Sequence, residues 1–385
     1  MNTRDKIYLI SYFFAPLGRA DGVNRTLFVK YFDELGWDVE VITGEIYNIL
    51  ILNFQRDPSL LNNIPPSVKI HRFQSDRGWL KYDLKKIIGI KNNLRKNWIS
   101  NVENGFSPRT QGVFVSILPP IDNAILAYNL SLKYHWPLVL YYLDDFLDVP
   151  SHIVKHAKAL VCVTSRIAKS LIKTYGHNNV NLIAQGAGEP IACVQKKSID
   201  LPIKIVYAGS FNFRIQPELV GKALKKLKKQ RPNIAASLVI DLYGPQGYYL
   251  WLFLKPYLNK NVRYEGYLPF DQLMKILPNY DMALTVNRAD VAFPSKVYHY
   301  LNAGLPIFAI TEHPELIHFV QDHSIGITSD NTINDIAEKL SDLAVSKDLI
   351  LKWRENVLNI RDEFALEKQL KKFHDVLKDL SREPE

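Results

Sequence analysis

Short apolar runs alternate with stretches of helical periodicity along most of this 385-residue chain. In the first series, residues 7–11, 38–42, 112–116, 138–143 and 160–163 predict strands, and residues 24–35, 121–134 and 166–175 carry apolar side chains at helical spacing. A second series follows, with strands predicted at 204–208, 236–243, 261–266 and 282–286 and helices at 217–230, 270–277 and 332–345. Strand and helix in alternation are the sequence form of parallel sheets, so each series predicts one doubly wound α/β domain. Between them, Gly186, Gly188 and Pro190 supply turn formers and Lys196, Lys197 and Asp200 supply charge without a sustained period. This stretch predicts a linker with the boundary near residue 195. No repeat at solenoid spacing and no low-complexity tract interrupts the pattern.

Composition agrees with two folded domains, since 47% of residues are hydrophobic, 23% are charged, and the length suffices for two separate cores. No apolar run approaches the roughly 20 residues of a membrane-crossing helix. The first six residues lead straight into an apolar strand without the features of a signal peptide, which places the protein in the cytoplasm as an expectation. Cys162 and Cys193 lack metal or disulfide spacing and are expected to be buried free thiols.

A formal charge of +9 implies an anionic partner, whether nucleic acid, a phospholipid surface or a nucleotide-linked small molecule. Part of that charge lies in 77–98, where Trp79, Leu80, Leu84, Ile87, Ile88, Leu94 and Trp98 recur at helical spacing among Lys81, Lys85, Lys86, Lys91, Arg95 and Lys96. Such a basic helix suits an anionic membrane surface; the alternative is a helix packed on its own domain. Nothing resembling a DNA- or RNA-binding module accompanies the charge, so no nucleic acid is expected.

The segment 293–310 carries the most chemistry. Pro294 and Ser295 can start a helix with Lys296 in its first turn, and Gly304 and Pro306 end it before a buried strand. A cation beside outward-pointing N–H groups would favour an anion. An ordinary amphipathic helix before a strand is the plainer alternative. The segment resembles the donor-site segment of GT-B glycosyltransferases, in particular bacterial enzymes of surface-polysaccharide synthesis. Further matches fall in that family's order: the Pro- and Gly-rich loop 12–25, the helix and strand 30–43, Ser116-Ile-Leu-Pro-Pro120, Tyr141-Tyr-Leu-Asp-Asp145, residues 161–165, Tyr207-Ala-Gly-Ser210, Leu242-Tyr-Gly244 and residues 262–267. Residues 45–110 have no counterpart, and in such enzymes this is where acceptor specificity usually resides.

The resemblance implies two Rossmann-like domains facing across a cleft: an acceptor domain at 1–195, a donor domain at 196–362, and a helix at 363–385 crossing back to the first. It implies sugar transfer from a nucleotide donor, a UDP- or GDP-sugar, to a saccharide acceptor that is plausibly lipid-linked. The work would be done in the cytoplasm or on the inner face of the membrane. Neither metal nor cofactor is expected. For the donor diphosphate the candidates are Ser295, Lys296 and Arg214, with Gly209 and Ser210 allowing close backbone approach. For the nucleoside they are Tyr243, Gly244 and Tyr267 at strand ends, where ligands of doubly wound folds bind.

The family often carries a Glu-x7-Glu pair whose aligned positions here are Val291 and His299, so the ribose contact falls to a histidine. For the acceptor, Asp145 or Asp144 is the candidate general base, against the alternative that one caps a helix and the other is solvated. Gly18, Gly22 and Arg25 either approach the diphosphate or acceptor, or serve packing or are simply solvated. A sugar-nucleotide epimerase and a non-catalytic assembly subunit of the same fold are the competing readings.

Overall fold

The computed structural model describes residues 4–45, 55–75, 96–145, 148–188, 190–192, 196–212, 215–247, 249–289 and 292–382. Arg214, Val291, Cys193 and residues 77–95 of the predicted basic helix lie outside them. The chain divides into two compact units, one of Met1–Gln185 with Leu366–Glu385 and one of Gly186–Ala365.

The first unit is built on seven parallel strands: β1 (Lys6–Ile10), β2 (Asp38–Gly44), β3 (Lys69–Phe73), β4 (Val113–Leu118), β5 (Leu138–Tyr142), β6 (Ala159–Cys162) and β7 (Val180–Leu182). Their order is β3-β2-β1-β4-β5-β6-β7. Every residue of β1, β4 and β5 is buried, as expected of central parallel strands with helices on both faces. The edge strands β3 and β7 were not expected from sequence. Both are short and incompletely buried, and neither forms an apolar run.

Helix Leu366–Arg382 packs on this first unit. Its period buries Leu366, Leu370, Phe373 and Leu377. The Phe373 ring lies 5.6 Å from Phe28, 5.7 Å from Phe32 and 5.2 Å from Tyr141, and Trp37 Nε1 shares a 2.9 Å hydrogen bond with His374 Nδ1.

The second unit has six parallel strands: β8 (Ile203–Ala208), β9 (Leu238–Tyr243), β10 (Val262–Gly266), β11 (Met282–Asn287), β12 (Ile307–Thr311) and β13 (Gly326–Ser329), in the order β10-β9-β8-β11-β12-β13. The succession reverses between β8 and β11, as it does between β1 and β4 in the first unit. A crevice at the carboxyl ends of such a pair is where doubly wound sheets bind ligands. Strand β13 and helices Pro314–Asp322 and Lys347–Ile360 complete elements that the periodicity left out.

The basic-helix expectation changes at its end. Trp98 sits in helix Lys96–Gly105, is fully buried, and meets Tyr12 edge-on with ring centroids 5.1 Å apart. Its indole is a core element of the first unit and does not face a membrane. Cys162 is buried, as its apolar strand implied.

Candidate donor and acceptor sites

In the second unit the switch point is fastened by Tyr300, a residue sequence reasoning had not singled out. It lies in helix Lys296–Asn302, which leads out of β11. Its buried hydroxyl accepts the N–H of Ala208 at 2.9 Å and donates to the carbonyl of Leu284 at 3.2 Å, tying the helix to the end of β8 and the middle of β11. Its placement in Lys296-Val-Tyr-His-Tyr300, on the helix face turned to the sheet, is the signal that could have found it.

That anchor fixes Lys296. Its Nζ lies 4.1 Å from the centre of the Tyr207 ring, inaccessible to solvent although the stem is half-exposed, and has no hydrogen-bond partner. Burial pushes its pKa down to about 7. The space it occupies exists because residue 209 is glycine: a Cβ there would lie 2.4 Å from Nζ. Gly209 donates its N–H to the Tyr243 carbonyl at 2.9 Å, and the Tyr207 hydroxyl donates to the Ser210 carbonyl at 2.7 Å, which shapes the turn above the ammonium. Gly244 packs so closely that a Cβ would fall 2.0 Å from the Gly209 carbonyl oxygen. Lys296, Gly209, Ser210 and Gly244 are thus one cluster.

The expected helix-start anion site takes a different form. The N–H groups of Val297 and Tyr298 already bond the carbonyls of Pro294 and Ser295 at 3.0 and 3.1 Å, and Ser295 makes no side-chain cap. Positive charge at this point therefore comes from the Lys296 ammonium more than from the helix start.

His299, one turn into the helix edge, has a buried Nδ1 without a hydrogen-bond partner and packs edge-on to Phe270 at 5.2 Å. Burial lowers its pKa to about 4, so the imidazole is neutral near pH 7. The Tyr243 hydroxyl is engaged: it bonds Tyr280 at 3.0 Å, Tyr280 donates to Asp241 at 2.9 Å, and Arg263 holds the same carboxylate at 2.6 and 2.7 Å. Only the ring of Tyr243 remains for a wall. Tyr267 follows Gly266, whose φ of +90° requires glycine, at the end of β10. Arg214 lies outside the described residues.

In the first unit, Asp144 and Asp145 follow the carboxyl end of β5. Asp144 Oδ1 accepts the Asp145 N–H at 2.8 Å, and the Asp145 carboxylate, 27% exposed, faces Arg166 Nε at 3.3 Å. Neither aspartate caps the next helix, Ser151–His156.

The residues 18, 22 and 25 hold the loop after β1 in place. Gly18 donates its N–H to Gln55 at 2.7 Å, and a Cβ on Gly22 would lie 1.9 Å from the Leu17 carbonyl oxygen. Buried Arg25 donates to the carbonyls of Phe13 at 3.1 Å and Pro119 at 3.0 Å, joining the loops on either side of the β1/β4 switch point. Asn123 reinforces the join, accepting from Tyr12 N–H at 3.0 Å and donating to Ile117 at 2.6 Å. Of the roles expected for this loop, packing is the one these bonds display.

Residues 194–359 match the family described as glycosyl transferases group 1. No curated protein sequence matches the chain. Among solved structures, it is similar to the pneumococcal O-GlcNAc transferase GtfA in complex with UDP and GlcNAc, at 10% identity and a TM-score of 0.69 over 99% of this chain and 100% of that one. It is similar to an S. aureus TarM variant in complex with Fondaparinux, alpha-GlcNAc-glycerol and UDP, at 10% identity and 0.68 over 97% and 100%. A sucrose-phosphate synthase from Thermosynechococcus elongatus reaches 14% and 0.68 over 98% and 99%. The segment 194–359 is thus similar to the group 1 glycosyltransferases, and the chain as a whole has the two-domain GT-B fold.

Proposed function

We propose that this protein transfers a sugar from a nucleotide-sugar donor to a saccharide acceptor. The buried, unpartnered Lys296 ammonium beneath Gly209 and Ser210 carries the reading. A cation held out of water and without a hydrogen-bond partner gains most from a diphosphate, whose charge grows as the glycosidic bond breaks. Because a protein cation meets that charge, we propose a transfer that needs no metal. His299, kept neutral, takes the donor contact that a carboxylate makes elsewhere in the family, and Tyr267 and Gly244 line the nucleoside.

The acceptor falls to the first unit, with Asp145 as the base that removes its hydroxyl proton and Arg166 as the residue that positions the carboxylate. UDP in complexes of GtfA and TarM supports a UDP-sugar over the other nucleotides. A lipid-linked saccharide of surface-polysaccharide synthesis is the acceptor class we favour, used at the inner face of the membrane. The charge of +9 supports attachment to an anionic surface, and no helix among the described residues is long and apolar enough to cross a bilayer.

Calorimetric titration of UDP, GDP, dTDP and CMP into the protein and into Lys296→Ala tests the donor assignment without an acceptor. Selective binding of one nucleotide that the variant loses is the expected result. Absence of binding to all four would favour the non-catalytic subunit or a site that only the acceptor completes, and equal binding by the variant would remove Lys296 from the donor site.

A further inference from the structure

Beyond the carboxyl end of β9 the chain makes a single π-helical turn, Leu250–Leu254, within Tyr249-Leu-Trp-Leu-Phe-Leu-Lys-Pro-Tyr-Leu-Asn-Lys260. Leu250 and Leu254 are buried, and the Tyr249 hydroxyl donates to the Glu218 carboxylate at 2.5 Å, so the turn is held firmly at both ends. The three residues between face outward: Trp251 is 50% exposed, Leu252 66% and Phe253 37%. Scattered exposed apolar residues are ordinary, but three in succession at the tip of one turn are not.

The surroundings are basic. No Asp or Glu occurs between Asp241 and Glu265. Exposed Lys255 places its Nζ 4.3 Å from the Trp251 ring, and Lys260 is exposed beyond it. Tyr257 packs on Gly221, where a Cβ would lie 2.5 Å from it, and Lys222 reaches within 5.8 Å of the Tyr257 ring. Lys225 and Lys229 continue that face of helix Glu218–Gln230.

We propose that this surface docks on an anionic lipid bilayer, with Trp251, Leu252 and Phe253 entering the boundary between headgroups and acyl chains and the lysines meeting headgroup phosphates. Tryptophan beside a lysine suits that boundary, since the ring lies at headgroup depth while the amine stays in water. A second copy of this chain is disfavoured, because its own charge of +9 would oppose a lysine-rimmed face. The inference does not depend on sugar transfer, and lipid binding can be measured without donor or acceptor.

The test is flotation of the full chain with phosphatidylcholine vesicles, with and without about a third phosphatidylglycerol. Expected are binding to the anionic vesicles that weakens with salt, loss of about tenfold or more in Leu252→Glu, and a smaller loss in Lys255→Glu. Fluorescence quenching by brominated lipid should disappear in Trp251→Phe while binding persists. All three positions are exposed, so unchanged thermal midpoints are the control for folding. No binding by the wild-type chain, or Leu252→Glu binding as the wild type does, would overturn the proposal. So would a vesicle-free dimer that Leu252→Glu dissociates, which would give the surface to a second copy.

Discussion

The Nζ of Lys296 stands 4.1 Å from the centre of the Tyr207 ring, and that ring's hydroxyl in turn donates to the Ser210 carbonyl at 2.7 Å. One aromatic side chain thereby sets both the ammonium and the turn above it. With its pKa lowered from 10.5 to about 7, Lys296 is a neutral amine in the folded chain between those values while the unfolded chain holds an ammonium. The unfolded state binds more protons in that window, so this group makes stability rise with pH from about 7 to 10.5.

A bound diphosphate reverses the preference and draws a proton in. Affinity for a UDP-sugar should therefore fall above pH 7, by up to about tenfold per unit. Calorimetry at pH 8 in two buffers of different ionisation enthalpy should show proton uptake that Lys296→Met lacks. Equal heats in both buffers would remove this role.

Gly209 and Gly244 should respond differently to alanine. A Cβ on Gly209 would fall where the Lys296 ammonium lies, so Gly209→Ala should lose nucleotide affinity about as Lys296→Ala does. Since both changes remove one interaction, the double variant should lose little more than either single one, a non-additivity that a double-mutant cycle reads directly. Gly244→Ala instead pushes a Cβ against the Gly209 carbonyl at 2.0 Å and the Phe211 ring at 2.8 Å, and should destabilise the fold by about 1–3 kcal/mol in denaturant titration. Additive losses in the double variant would separate Gly209 from the lysine.

Tyr300→Phe removes the acceptor for the buried Ala208 N–H and the donor to Leu284 while leaving the ring. An orphaned buried N–H costs about 1–3 kcal/mol, so chemical unfolding should show a loss of that size. Nucleotide affinity should fall as well, because the helix carrying Lys296 is no longer fastened to β8. A stability loss with unchanged affinity would mean that the helix keeps its place through Val297 and Leu301 alone, both of which are buried.

Much of this was legible in the sequence because the central strands are apolar throughout. Residues 282–286 and 138–143 announce strands that the structure places at Met282–Asn287 and Leu138–Tyr142. Edge strands were not legible: Lys69–Phe73 mixes exposed and half-buried positions without a regular alternation, and its partner β2 supplies the order that its composition does not. Lys296 stood out because a basic residue at a helix start is a local signal. What it does was hidden, since its orphaned nitrogen depends on Tyr207 and Gly209, nearly ninety residues away. Arg25 shows the opposite case. A cation in a glycine-rich loop reads equally as an anion partner or as a packing element, and its guanidinium bonds the carbonyls of Phe13 and Pro119, the second of them contributed by a distant loop.

The two neighbouring carboxylates of the first unit are separable by experiment. Asp144 accepts the Asp145 N–H through Oδ1, and an asparagine keeps that oxygen, so Asp144→Asn should preserve the turn and most activity. Asp145 faces Arg166 at 3.3 Å with its carboxylate partly exposed, the form a base must have to reach an acceptor hydroxyl. Asp145→Asn keeps the shape and removes the basicity, so turnover should fall about 10²–10⁴-fold with nucleotide affinity unchanged. The measure is release of nucleoside diphosphate from the sugar nucleotide that the titrations select, which water supports slowly without the natural acceptor. A matching loss of affinity would place Asp145 in donor binding, and equal losses from Asp144→Asn and Asp145→Asn would assign the pair a structural role in the turn after β5.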